Sequence, residues 1–166
     1  MNAADTILNF TPWGERLASS GQPKPGEFAI LAAEGFETLI NLATTASTGH
    51  LPDEPGLCAR AGLAFAWLPV DWKAPSLEDY RTFEAWLDAN RGRKALVHCA
   101  MNWRASMFCA LYRVIREGLA PAQAREDVLG VWEPDQVWTE FSRAVLAAHG
   151  LGPIEFQPPP GADRPA

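Results

Sequence analysis

The 166-residue chain is 48% apolar and 20% charged and carries a net charge of −6. That suits a soluble domain with its own core and excludes a general nucleic-acid binder, since no basic face is evident. No run of ~18 apolar residues is present, so no membrane span is expected, and the N-terminus has no secretory pattern. The three cysteines, Cys58, Cys99 and Cys109, are an odd number in a chain too large to need disulfides, which points to free thiols in a reducing, cytoplasmic setting.

Residues 1–15 read as irregular, with Pro12 and Gly14. Arg16-Leu17-Ala18-Ser19-Ser20 reads as a short edge strand, closed by Gly21-Gln22-Pro23. Pro25 opens a helix, where its missing N–H costs little. Phe28, Leu31 and Ala32 give that helix an apolar face, and Gly35 ends it. Thr38 to Leu42 reads as a buried strand, residues 43–54 as a small, polar loop, and residues 55–61 as a short helix stopped by Gly62. Ala64 to Val70 is the next strand and Asp71 to Pro75 a loop. Ser76 with Asp79 makes a capping-box-like start to a helix that presents Tyr80, Phe83, Trp86 and Leu87 and runs to about Asn90. Arg91-Gly92-Arg93 turns into Lys94-Ala95-Leu96-Val97-His98, the central strand. Ala105 to Glu117 is a helix ended by Gly118, Pro121 to Gly130 another, and Glu133-Pro134-Asp135 opens the last, through about Ala148.

This alternation predicts a three-layer α/β fold, a mostly parallel sheet of 4–5 strands flanked by helices, over residues 1–150. Residues 151–166, with three consecutive prolines, read as an extended or disordered tail. Seven tryptophans are expected mainly in the core or as pocket walls. Parallel sheets bind ligands at the carboxyl ends of their strands. Cys99 and Asp71 both follow directly on a predicted strand, so both belong on that rim.

The stretch from His98 to Ser106 carries the chemistry. If Cys99 leaves the strand and Arg104 begins the helix, the N–H groups of Ala100, Met101, Asn102, Trp103 and Arg104 form an anion-binding nest. The helix dipole adds positive potential at the same point, and both favour a Cys99 thiolate. A thiolate in a dianion pocket attacks phosphorus and forms a thiophosphate. Arg104 binds two phosphate oxygens through its planar fork. Ser106 is placed to donate to the thiolate. His98 points the other way, to fix the loop by a backbone hydrogen bond. Asp71 is the candidate general acid, with Trp72 beside it either to pack on a flat substrate or to anchor the loop. Asp79, Glu133 and Asp135 read more simply as helix-start acids, and Cys58 and Cys109 as buried core thiols. No Cys or His pair has metal-ligand spacing, and no cofactor is implied.

Val97-His98-Cys99 through Arg104 resembles the phosphate-binding loop of cysteine-dependent protein tyrosine phosphatases, especially the compact dual-specificity type. That signature is His-Cys, five residues, Arg, then Ser or Thr. Ser20-Gly21-Gln22-Pro23, Gly35, Leu39-Ile40-Asn41-Leu42 and Leu68-Pro69-Val70-Asp71 are similar to segments of its small bacterial members, and the resemblance covers roughly residues 14–145. It implies hydrolysis of a phosphorylated substrate, a phosphoprotein or a small phosphate monoester, with Cys99, Arg104 and Asp71 as the catalytic set. The chain departs from the pattern in one place. Only four residues separate Cys99 from Arg104, the loop glycines are missing, and Ala105 stands where Ser would follow Arg, although Ser106 keeps its distance from Cys99. A shorter ring offers one fewer N–H, so a non-catalytic phosphate-recognition module is the alternative. A rhodanese-like sulfurtransferase fits the element order less well. The substrate among these phosphate esters and the oligomeric state stay open.

Overall fold

Sheet order explains why the chemistry gathers at one rim. The computed structural model describes residues 2–157, so the three prolines and the rest of the expected tail after Gln157 lie outside the described residues. Five strands, β1 (Thr11–Pro12), β2 (Leu17–Ser20), β3 (Thr38–Asn41), β4 (Ala64–Trp67) and β5 (Ala95–His98), form one sheet in the order β1-β2-β5-β3-β4. All pairings are parallel except the antiparallel β1–β2 pair. β5 is central, and its last residue, His98, is in register with Ser20 on one side and Asn41 on the other. Cys99 therefore leaves the middle of the sheet.

Alternation with period two splits the core into two layers. Leu39, Leu96 and Ala18 face α1 (Ala3–Thr6), α2 (Glu27–Ala33) and α3 (Glu54–Ala61) and pack with Phe28, Leu31 and Cys58. Ile40, Val97 and Leu17 face the other way, towards α4 (Leu77–Ala89), α5 (Trp103–Glu117), α6 (Pro121–Leu129) and α7 (Gln136–Ala148). There they meet Tyr80, Phe83, Phe108, Val128 and Trp138. α5 is buried on most of its surface because it lies under the other helices of its layer. Capping is as the residues dictate: Ser76 and Asp79 exchange bonds of 3.0 Å each with the other's backbone N–H, and Asp135 accepts from Trp138 N–H at 2.9 Å.

Several boundaries differ from the sequence-based expectation. Residues 1–15 are not wholly irregular: Asn2 caps the short α1, which buries Ala3, and β1 follows. β1 covers β2, so Leu17–Ser20 is an interior strand and all four of its residues are buried. β4 ends at Trp67 because Pro69 has no N–H for the ladder, although Leu68 and Val70 still donate to the carbonyls of Asn41 and Leu42 at 2.9 and 3.0 Å. α5 begins at Trp103, two residues before Ala105, because Asn102 adopts a left-handed conformation (φ 73°) and turns the chain at once into the helix. Residues 151–157 form no helix or strand, and Ile154 and Phe156 are buried in the core. No helix among the described residues is long and apolar enough to cross a membrane.

Candidate active site

Cys99 and Arg104 line one open cleft of about 390 Å³ at the carboxyl end of the sheet, together with Ala100, Met101 and Trp103 of the same loop. Asp71, Trp72 and Lys73 form the facing wall, and Thr44, Ala46, Ser47 and Thr48 form the third side. Of the residues expected at the site, Asn102, His98 and Ser106 lie behind the loop, fully buried.

Three segments clamp the loop from outside. Gln22 N–H donates to the Ala100 carbonyl at 3.0 Å. Asn9 Nδ2 donates to the Met101 carbonyl at 3.0 Å, and Asn102 Nδ2 returns a bond to the Asn9 carbonyl at 2.8 Å. His98 Nδ1 lies 3.2 Å from the Cys99 carbonyl, as expected for a residue that fixes the loop. Among the described residues, the N–H groups of Ala100, Met101, Trp103 and Arg104 make no hydrogen bond to backbone carbonyls. For Trp103 and Arg104 this follows from their place in the first turn of α5, where no preceding carbonyl is available.

Arg104 is buried, and its guanidinium is aimed across the cleft. Nη1 donates to the Val70 carbonyl at 2.9 Å and Nη2 to Ser47 Oγ at 3.2 Å. Five N–H donors are available on a guanidinium, so these contacts orient it and leave donors for a ligand. The first contact ties Arg104 to the residue just before Asp71. Asp71 itself is exposed, and its Oδ1 accepts the Lys73 N–H at 2.9 Å. Trp72 is an anchor: Trp138 Nε1 donates to the Trp72 carbonyl at 3.1 Å, and the Trp72 ring packs against Trp103, Trp132 and Trp138 with centroids 5.3–5.7 Å apart. Trp103 also stacks on Trp132, nearly coplanar at 4°. Four indoles from the loop, the acid segment and the region leading into α7 thus hold two walls of the cleft together.

One expectation is not met. The Ser106 hydroxyl donates to the Trp103 carbonyl at 3.1 Å, the back-bond that a serine in a first helical turn readily makes, rather than to Cys99. Asp79 and Asp135 are occupied as helix caps, and neither they nor Glu133 line the cleft. Cys58 and Cys109 are inert by environment: burial pushes the Cys58 thiol up to about 12 and raises Cys109 as well. All three cysteines are free, and among the described residues no cluster of His, Cys, Asp and Glu could hold a metal.

Sequence reading missed two contributions. The polar run Thr44 to Thr48 follows directly on the carboxyl end of β3, and that placement alone marks it as rim. The second is Glu54, at the start of α3, 2% exposed, whose Oε1 lies 3.0 Å from His98 Nε2. Gln22 Nε2 donates to the same oxygen and Asn41 Nδ2 to Oε2, each at 2.7 Å. Burial alone would push the Glu54 carboxyl up, but these partners outweigh it and hold the group below the usual carboxylate range.

No family model matches the chain. A "Beta-lactamase hydrolase-like protein" of Xylella fastidiosa (strain Temecula1) is 38% identical over 107 residues, 61% of this chain. The match spans only 24% of that relative, and a relative of the same name from Agrobacterium fabrum is covered to 26%. Among solved structures, a DUF442 protein of Shewanella putrefaciens CN-32, provisionally described as a phosphatase, superposes with a TM-score of 0.81 at 30% identity. That alignment covers 87% of this chain and 95% of the Shewanella chain. TpbA of P. aeruginosa superposes at 0.68 with 20% identity, covering 82% and 84% of the two chains, a likeness of fold.

Proposed function

We propose that the chain, which belongs to one family with the DUF442 phosphatase-like protein of Shewanella putrefaciens, is a cysteine-dependent phosphatase of the protein tyrosine and dual-specificity type that hydrolyses phosphate monoesters through a cysteinyl-phosphate intermediate. The observation that carries this reading is the lining of one cleft by Cys99, Arg104 and Asp71 together with Ala100, Met101 and Trp103, whose N–H groups make no bond to a backbone carbonyl.

The phosphoryl group sits against the N–H groups of Ala100, Met101, Trp103 and Arg104, with the Arg104 fork on two of its oxygens. Cys99 Sγ attacks phosphorus, and the S–P bond forms as the P–O bond to the leaving group breaks. Asp71 delivers its proton to the departing oxygen. Water then attacks the thiophosphate, Asp71 takes the proton back, and inorganic phosphate leaves as the Cys99 thiolate is restored. The Val70 carbonyl couples the two halves of the site, since the bond that orients Arg104 also fixes the residue preceding the acid. Lys73 supports an anionic substrate from the same wall. On this reading residues 1–150 act as one catalytic domain, and three free thiols suit a cytoplasmic protein.

The test is hydrolysis of a small aryl phosphate by the purified protein. Wild type is expected to turn it over, and Cys99→Ser to abolish turnover while retaining the melting temperature. A second reading, a phosphate-recognition module without turnover, is favoured by the engagement of Asp71 Oδ1 with its own loop. Wild type that binds vanadate yet hydrolyses nothing across a broad pH range would establish it in place of the first.

A further inference from the structure

We propose that Glu54 is a positioning residue for the Cys99 chemistry: it holds His98 as a doubly protonated, cationic ring against the back of the phosphate-binding loop. This rests on the reading of Cys99 as a reactive thiolate.

The Cys99 carbonyl can only accept, so His98 Nδ1, 3.2 Å away, carries a proton. On the other side Nε2 faces Glu54 Oε1 at 3.0 Å. The contact lies off the axis of a good hydrogen bond, so charge pairing carries it, and a bare Nε2 lone pair so close to a carboxylate would be repelled. Nε2 is therefore protonated too.

The carboxylate itself is charged because two amide N–H donors, from Gln22 and Asn41, converge on it. Neither amide that holds it can be turned round. Asn41 Oδ1 already accepts the Ala43 N–H at 2.7 Å, so Asn41 Nδ2 must face Glu54. Gln22 Nε2 lies between two oxygens, Glu54 Oε1 and the Pro23 carbonyl at 3.2 Å, and both demand N–H. The pair is among the most deeply buried in the chain, with side chains 0% and 2% exposed.

The orientation of the pair matters. Its positive end lies one residue from Cys99 and its negative end in α3. The other ionisable groups near Glu54 are Cys58, on the next turn of α3, and His50, which shares a cavity with it. Cys99 is faced by Arg104, Lys73 and Asp71 across the cleft and by Cys109 from α5. None of these replaces the charge behind the loop. A neutral residue at position 54 removes the reason for His98 to hold its second proton, and the loop loses that positive charge.

The test is the rate of Cys99 alkylation by iodoacetamide against pH, read by intact-protein mass spectrometry, with thermal melting alongside. Cys99 lines the cleft, whereas Cys58 and Cys109 are buried away from it and are expected to stay silent. Glu54→Gln keeps the size and the bonds to Gln22 or Asn41 in part. It is expected to fold and to alkylate about tenfold more slowly at pH 6, its profile displaced by about one pH unit towards alkaline. Glu54→Asp, which keeps the charge, is expected to recover part of the loss. His98→Asn, which can still donate to the Cys99 carbonyl but leaves the Glu54 carboxylate unpaired, is expected to lose at least as much as Glu54→Gln, and the double variant to return to the Glu54→Gln level. A folded Glu54→Gln with the wild-type profile overturns the proposal. If that variant does not fold, His98→Asn with the wild-type profile does so. Alkylation needs no phosphate ester, so this outcome is independent of whether the wild type hydrolyses one.

Discussion

Gly21→Ala is the sharpest perturbation of the loop that changes no side chain lining the cleft. Gly21 lies opposite Met101 in an isolated bridge, and a Cβ built on it would meet the Ala100 carbonyl oxygen at 2.7 Å and the Leu8 side chain at 3.0 Å. Leu8 is exposed and can yield. The carbonyl is backbone, so either the loop or the Gly21 segment must retreat by roughly 0.7 Å to regain an ordinary contact of ~3.4 Å. Overpacking of this kind costs about 1–3 kcal/mol. In a chain of this size each kcal/mol moves Tm by ~2–4 °C, so the expected fall is ~2–12 °C. Retreat of the loop also loosens the bond from Gln22 N–H to the Ala100 carbonyl and shifts the N–H groups beside Cys99. Misplacement of up to an ångström at a reacting centre costs ~10–100-fold in rate. The assay is kcat/KM on an aryl phosphate together with a thermal melt. Gly26→Ala is the control, because its Cβ would meet nothing within 4 Å. If Gly21→Ala matches that control in both measurements, the Gly21 segment does not set the loop and the reasoning fails.

Asn102 and Glu54 give two further expectations. Asn102→Gly keeps the left-handed backbone (φ 73°) but loses the bond to the Asn9 carbonyl, whereas Asn102→Ala loses both. Urea midpoints should therefore rank wild type above Gly above Ala, with the last two ~1 kcal/mol apart; the reverse order would show that the backbone there is unstrained for alanine. Because the Glu54 carboxyl is depressed in the folded protein, its contribution is fully present above the unfolded value near 4.5 and is lost as pH falls through the lower folded value. The stability gap between wild type and Glu54→Gln should thus narrow below about pH 4.5 in urea titrations, and a constant gap would show that the carboxyl is not depressed.

Much of this was legible in residue order, because the signals were local. Alternation in Leu39-Ile40 and Leu96-Val97, and the Ser76–Asp79 box, each depend on neighbours a few positions apart. The cysteine loop was legible for the same reason. What escaped depended on distant partners. Thr11–Pro12 is too short to show a period and becomes a strand only because β2 needs a partner. Glu54 reads as the last residue of a polar loop until α3 is laid against the end of β5, 44 positions further along. The tryptophans read as core or pocket wall, but the gathering of Trp72, Trp103, Trp132 and Trp138 was not legible, since it joins three separate segments.

The four-residue spacing looks at first like a deficit of N–H groups, and the way the loop is held argues otherwise. In a trans peptide the carbonyl of one residue and the N–H of the next point in opposite directions, and no peptide bond here is cis. His98 draws the Cys99 carbonyl one way, so the Ala100 N–H points the other. Gln22 draws the Ala100 carbonyl outwards, so the Met101 N–H is turned away from Gln22 in the same manner. Asn102 then reverses the chain with a single left-handed residue, which glycine would otherwise supply, and hands Trp103 and Arg104 directly to the first turn of α5. The helix thus starts directly after Asn102, which puts Arg104 into the turn whose dipole favours an anion. The loop is held from outside by His98, with Glu54 behind it, by Gln22 and by Asn9.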